Sequence, residues 1–253
     1  MRHLFLLAAL TLTPALAAPV SLNLNITNGT QPFTGTLTTS AGQSIQTTLW
    51  QMYISNVALV KADGTEVALP GLNLIRLDGK GPFQNILAFK GDAPAGEYRG
   101  IRFDVGVPRA LNHVDASTQK DPLGMDVGMF WAWNPGYIFS RYEGKATIGN
   151  QTTDVYLHMG DDKRRLSVNL ADVMKPGTAI SVGAAGKTVN VNLDASRMVS
   201  GGLNGGKFDL SDAAYVQVHG GAVADQLYLN LAGAFSLAGA PQASAAPNDI
   251  GSK

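Results

Sequence analysis

Three histidines lie beyond the first eighteen residues: His113 in "LNHVDAS", His158 in "VYLHMGD" and His219 in "VQVHGG". Neutral imidazole is the commonest metal ligand, and in a chain without cysteine it suits copper or zinc. Met159 follows His158, and Met125 and Met129 flank an aromatic stretch. A thioether is a soft donor that favours Cu(I). Asp115, two residues after His113, could orient that imidazole from behind a metal, although an Asp so placed more often caps a turn. Spacing alone is satisfied equally well by three hydrogen-bonded or surface histidines. Metal chemistry needs these histidines to converge.

The second concentration of chemistry is "GMFWAWNPGYIF", Gly128 to Phe139, which holds two of the chain's three tryptophans around an Asn-Pro-Gly turn. On a strand, Phe130, Ala132 and Asn134 would face one way and Trp131 and Trp133 the other. Such a pair is either a large contribution to a core or a stacking surface for a ligand. Catalytic signatures are missing: there is no G-x-S-x-G, no H-E-x-x-H and no Walker loop. "GKGPF" at Gly79 is too short to cradle phosphate, and Asp161-Asp162 shows no legible partner. The residues therefore describe a binding protein and not an enzyme.

The elements that must position these residues read as strands. "SLNLNI" (Ser21–Ile26), "VALVKADGTEVAL" (Val57–Leu69) and "TVNVNL" (Thr188–Leu193) alternate apolar and polar residues, the mark of a strand with one buried face. Asp63-Gly64 divides the second run and is a strong hairpin signal. Further strands are expected at 45–53, 73–77, 85–89, 98–105, 138–143, 154–158, 165–170 and 179–182. A spacing of about ten residues implies an all-β, immunoglobulin-like β-sandwich of about 8–10 strands. Two segments break the rhythm. Pro108–Gly128 is long, polar and aperiodic, as functional loops are. In Gly221–Ala240, Val223, Leu227 and Leu231 recur every fourth residue, which predicts a short C-terminal helix.

Composition bounds the rest. Arg2, the apolar run Leu4–Leu16 and Ala15-Leu16-Ala17 read as a signal peptide over residues 1–18. The run is too short to span a bilayer, so the expectation is a periplasmic or secreted protein with no membrane insertion after cleavage. The β-sandwich domain then runs over 19–240, and 241–253 reads as a disordered tail. No Cys is present, so no disulfide contributes. Without the leader, 18 basic residues face 19 acidic ones. That balance excludes nucleic acid as a partner, since phosphate binding needs a clustered positive field.

The order of motifs carries more than any one of them. "YISNVALVKADGTEV" (Tyr53–Val67), "GEYRGIRFDVGVPRALNHVD" (Gly96–Asp115), "GMFWAWNPGYIFSRYEG" (Gly128–Gly144) and "YLHMG" (Tyr156–Gly160), followed by "VNVNLD" (Val189–Asp194) and "VHGGAVADQLYLNLAGAFSL" (Val218–Leu237), resemble the MbnP-like family of exported bacterial proteins. The resemblance covers most of the chain after the leader. It implies a β-sandwich with a mononuclear copper site of histidines, here His113, His158 and His219. In some relatives a tryptophan oxidised to kynurenine completes the site, and a di-haem partner of the cytochrome c peroxidase type carries out the oxidation. Trp131 and Trp133 match the family's "FWxW" pair, and Trp50 is a third candidate for modification. The chain departs from some copper-binding relatives in having no Trp-x-His pair, and from a sister branch in having no cysteines. The implied role is copper acquisition or handling. The alternative is a metal-free sandwich that binds a protein or glycan through residues 128–139.

Overall fold

A computed structural model describes residues 16–134, 136–171 and 179–238. The leader up to residue 15 and the 241–253 tail lie outside the described residues. Seventeen strands are described, and eight of them are six residues or longer: β1 (Ala17–Asn28), β2 (Ser44–Val60), β3 (Leu72–Leu77), β4 (Ile86–Pro94), β5 (Gly100–Val105), β6 (Gly136–Ile148), β7 (Gln151–Gly160) and β8 (Lys187–Asp194). One helix of substantial length, α1 (Gly221–Ala232), follows near the C-terminus. The chain is thus the all-β, sandwich-like fold that the alternation predicts.

The larger sheet has ten strands and runs in the order Leu166–Asn169, β5, β2, β6, β7, Gln217–Val218, with β3 and three shorter strands also pairing along its length. The smaller sheet places β1 at its centre, parallel to β8 and antiparallel to β4. Alternation explains the layering. Val20, Leu22, Leu24 and Ile26 of β1 point inward against Trp50, Met52 and Ile54 of β2. Burying each such aliphatic side chain contributes about 1.5–3 kcal/mol. The Asp63-Gly64 hairpin forms as expected: Gly64 takes φ +86°, Lys61 N donates to Thr65 O at 2.8 Å, and Ala58 pairs with Ala68.

A second, smaller core lies on the outer face of the large sheet. Ala116 and Leu123 of the long segment, with the flanking Val107, Met129 and Trp131, cluster with Tyr53, Leu74, Ile138 and Phe139. The segment is folded down by hydrogen bonds from Tyr53 Oη to Pro122 O and from Tyr137 Oη to Leu123 O, both 2.7 Å, and by Asn112 Oδ1 accepting from Tyr137 N. Its lack of periodicity follows, because it is a string of short turns over the sheet and not a regular element. None of the described helices is long and apolar enough to cross a membrane.

Candidate metal centre

Strand β7 places His158 by simple alternation. Val155, Leu157 and Met159 enter the main core, so Tyr156 and His158 face outward. The next strand beyond β7 is the two-residue Gln217–Val218, which runs parallel to it with Tyr156 opposite Gln217 and Leu157 opposite Val218. The register therefore sets His219 beside His158. After His219 the chain turns through Gly220 into α1, with Gly221 at φ +70°. The helix is seated by the predicted apolar stripe of Val223, Leu227 and Leu231. Arg164, 6% exposed, ties the helix start to the end of β7. Its Nε donates to Asp225 Oδ1 at 2.7 Å, Nη1 to Gly160 O at 3.3 Å and Nη2 to Gly221 O at 3.2 Å. Two of these acceptors lie two residues beyond a histidine.

The two rings meet through their Nδ1 atoms, 3.1 Å apart. Glu143 of β6 reaches the far side of His158, with Oε1 3.1 Å from His158 Nε2. The same oxygen accepts from Arg141 Nε at 2.7 Å. A carboxylate at Nε2 assigns the imidazole hydrogen to that nitrogen and leaves Nδ1 as the lone-pair side. Tyr156 lies against both rings, 5.9 Å from the His158 centroid and 6.3 Å from that of His219. Burial pushes the His158 imidazolium down to about 4, helped by the neighbouring charge of His219 and opposed by Glu143. Burial also lowers His219, again against the pull of Glu143. Both rings are consequently neutral at pH 7, the form that binds metal.

The donor set fits a metal ion. The 3.1 Å between the two Nδ1 atoms is a hydrogen-bond distance, and it is also close to the roughly 3 Å between two nitrogens bonded to one ion at about 2.0–2.1 Å. The donors are nitrogen, with oxygen nearby, and not sulfur. Met159 points into the main core, Met129 is buried under the long segment, and Met125 is exposed. The thioether donors that the sequence suggests are thus turned away, because β7 alternates and Met159 must take the face opposite to His158.

The third histidine is elsewhere. His113 follows a single helical turn, Arg109–Asn112, and its Nε2 lies 2.9 Å from Asp162 Oδ2. Asp162 also accepts from Arg109 and Asn112. Burial alone would raise the Asp162 carboxyl, but the hydrogen bonds from His113 and Asn112 and the charge of Arg109 hold it below the usual carboxylate range. His113 lines a shallow pocket of about 370 Å³ with Asp115 and Phe130. Of the three expected to converge, the structure brings His158 and His219 together and sets His113 against Asp162. No group of three or more His, Cys, Asp or Glu residues placed to hold a metal ion occurs among the described residues. Asp115 takes the simpler of its two roles and caps the turn Ala116–Thr118 by accepting from Ser117 N.

The tryptophans divide in the same way. Ahead of its turn the aromatic segment is strand only at Phe130–Trp131; the turn begins at Ala132, and Gly136–Phe139 open β6. Trp131 is buried and Trp133 is 68% exposed, with ring centroids 5.5 Å apart, so the two do not share one face of an extended strand. Trp131 packs over Gly160: a Cβ there would sit 2.5 Å from Trp131 Cζ3. Trp50 is sealed in the main core, where its Nε1 donates to Ser140 Oγ at 3.2 Å. Sequence reasoning missed Glu143, Tyr156 and Arg164. Glu143 and Tyr156 had a signal, since each is a polar member of an alternating run. Arg164 had none.

The MbnP family model matches residues 17–219. Among solved structures, the chain is similar to MbnP from Methylosinus trichosporium, with 17% identity, a TM-score of 0.55 and 82% of each chain covered. No curated protein sequence matches.

Proposed function

The chain belongs to the MbnP family, and from that premise we propose that it is an exported copper-binding protein, without turnover of its own, that acts in copper acquisition or handling. His158 and His219 hold the ion through Nδ1. Glu143 keeps His158 in the binding tautomer, and Tyr156 covers the pair. The observation that carries this reading is the meeting of two imidazoles at 3.1 Å, one on β7 and one just past the adjacent strand Gln217–Val218. Imidazole nitrogen without thioether favours copper among the first-row divalent ions.

Equilibrium dialysis with Cu(II), Cu(I) and Zn(II) tests the proposal. One equivalent of copper should bind more tightly than micromolar, and His158→Ala and His219→Ala should each abolish that binding. His113→Ala should keep it within about threefold, since that residue only ties the long segment to Asp162. Binding that survives both His158→Ala and His219→Ala overturns the reading.

The tryptophan oxidation and di-haem partner implied by the family remain part of the proposal. Trp133 is the indole that a partner could touch, and the buried Trp131 lies beside it. Intact mass of protein from the native host should show added oxygen on one of these two. The alternative, a surface that binds a protein or glycan through residues 128–139, is favoured by the exposure of Trp133 alone. Trp133→Ala should then abolish capture of that partner in EDTA.

A further inference from the structure

The two histidines of the pair are held unequally. His158 lies within the ten-residue strand β7, opposite Arg141 of β6. Its side chain is 8% exposed and meets Glu143 at Nε2. His219 lies one residue past the last paired position, Leu157 with Val218, and is partly exposed. The ladder that brings the second ring alongside the first therefore stops just short of it.

The turn from His219 into α1 also lacks the usual fastenings. Gly220 at the N-cap offers no side-chain hydrogen bond, and no acidic residue stands in the first turn. Helix starts commonly settle their free N–H groups in those ways. Residues 220–222 are exposed, and a Cβ built at Gly220 or Gly221 would meet nothing within 4 Å. From Val223 onward the helix is firm, because Val223, Ala224 and Leu227 are buried in the main core. The loosely packed stretch is thus 219–222, and it carries one ring of the pair.

One side chain bridges this stretch. The Arg164 guanidinium donates to Asp225 Oδ1 and Gly221 O on α1, and to Gly160 O at the end of β7. Gly160 lies two residues past His158 and Gly221 two residues past His219, so the fork fixes the spacing of the two backbones that bear the rings. The guanidinium is a rigid planar group whose donors point to all three acceptors at once. It is 6% exposed. A desolvated charge that loses its partner is costly, so the contacts with α1 are made or broken together.

We propose that Arg164 and Asp225 form a latch on the histidine pair, in which His158 is the fixed ligand and His219 the movable one. The latch sets how readily metal is exchanged. Its opening lets 219–222 swing about Gly220 and Gly221 and withdraws the His219 ring, while Glu143 keeps His158 in place and the apolar stripe keeps α1 seated. The role in exchange rests on the copper reading, whereas the unequal mounting of the two rings stands without it.

The metal-free chain supplies the first test. In EDTA, hydrogen exchange read by mass spectrometry on Arg164→Lys should show residues 217–223 exchanging about tenfold faster or more, with β7 unchanged. Lysine keeps the charge but cannot span the three acceptors. Asp225→Asn, at a position 29% exposed, should act in the same direction and leaves the buried guanidinium in place. The second test is transfer of copper from the loaded chain to excess chelator. Dissociation should quicken by about tenfold or more in Arg164→Lys, with association within about threefold of the parent. The latch is overturned if 217–223 exchanges at the parent rate in both variants. It is equally overturned if exchange quickens evenly along the chain, which would make Arg164 a general stabiliser, or if copper leaves a variant that has lost protection no faster than it leaves the parent. A parent that binds no copper, with protection lost only at 217–223, overturns the copper reading and with it the role in exchange.

Discussion

Acid should destabilise the metal-free protein through His158, by an amount that the structure sets. The folded imidazole is held at about 4, against an ordinary value of 6.5. Between those limits the unfolded chain binds a proton that the folded chain refuses, so stability rises with pH across the window. Read in the acid direction, the loss begins as pH falls below about 6.5 and is complete near pH 4. A difference of this size, at about 1.4 kcal/mol per unit, corresponds to about 3 kcal/mol. The assay is urea denaturation in EDTA at a series of pH values from 7.5 to 4, for the parent and for His158→Gln. Glutamine cannot take up a proton but can still donate to Glu143. The parent should lose about 3 kcal/mol more than the variant over the series. Parallel losses in the two proteins would refute the argument that burial keeps this imidazole neutral. With it would go the account of why the pair is ready for a metal.

Two further outcomes follow from neighbouring groups. Glu143→Gln removes the charge that fixes the His158 tautomer, and copper affinity should fall by about 10–100-fold in competition titrations while His158 titrates lower still. Gly160→Ala drives a methyl group to 2.5 Å from Trp131 and 2.6 Å from Tyr137 O. It should cost about 1–3 kcal/mol in urea denaturation and shift the tryptophan fluorescence, because Trp131 must move.

Regular elements were legible because their residues alternate: β1, β8, the Asp63-Gly64 hairpin and the stripe of α1 all announce themselves. Strand β2 was harder. It runs unbroken for 17 residues, but a register shift between Ser55 and Ala58, with Asn56 at φ +49°, interrupts the alternation and makes it read as two strands. The histidines were recognised singly, whereas their pairing depends on a parallel strand of only two residues, Gln217–Val218, too short to leave a pattern. His113 looked equivalent to the others because local sequence cannot say which carboxylate a loop histidine will find; here it is Asp162, far along the chain.

The central position of β1 constrains the order of assembly. Val20 through Thr27 bond in register to Lys187 through Asp194, while the other edge of β1 takes residues 86–94. The first strand of the fold must therefore wait, with one edge open, until most of the polypeptide has been delivered. Closing so long a loop is slow. During that delay an alternating apolar strand is available to neighbouring chains. Refolding yield should accordingly depend steeply on protein concentration, and a holdase or a fusion that occupies this strand should relieve that dependence.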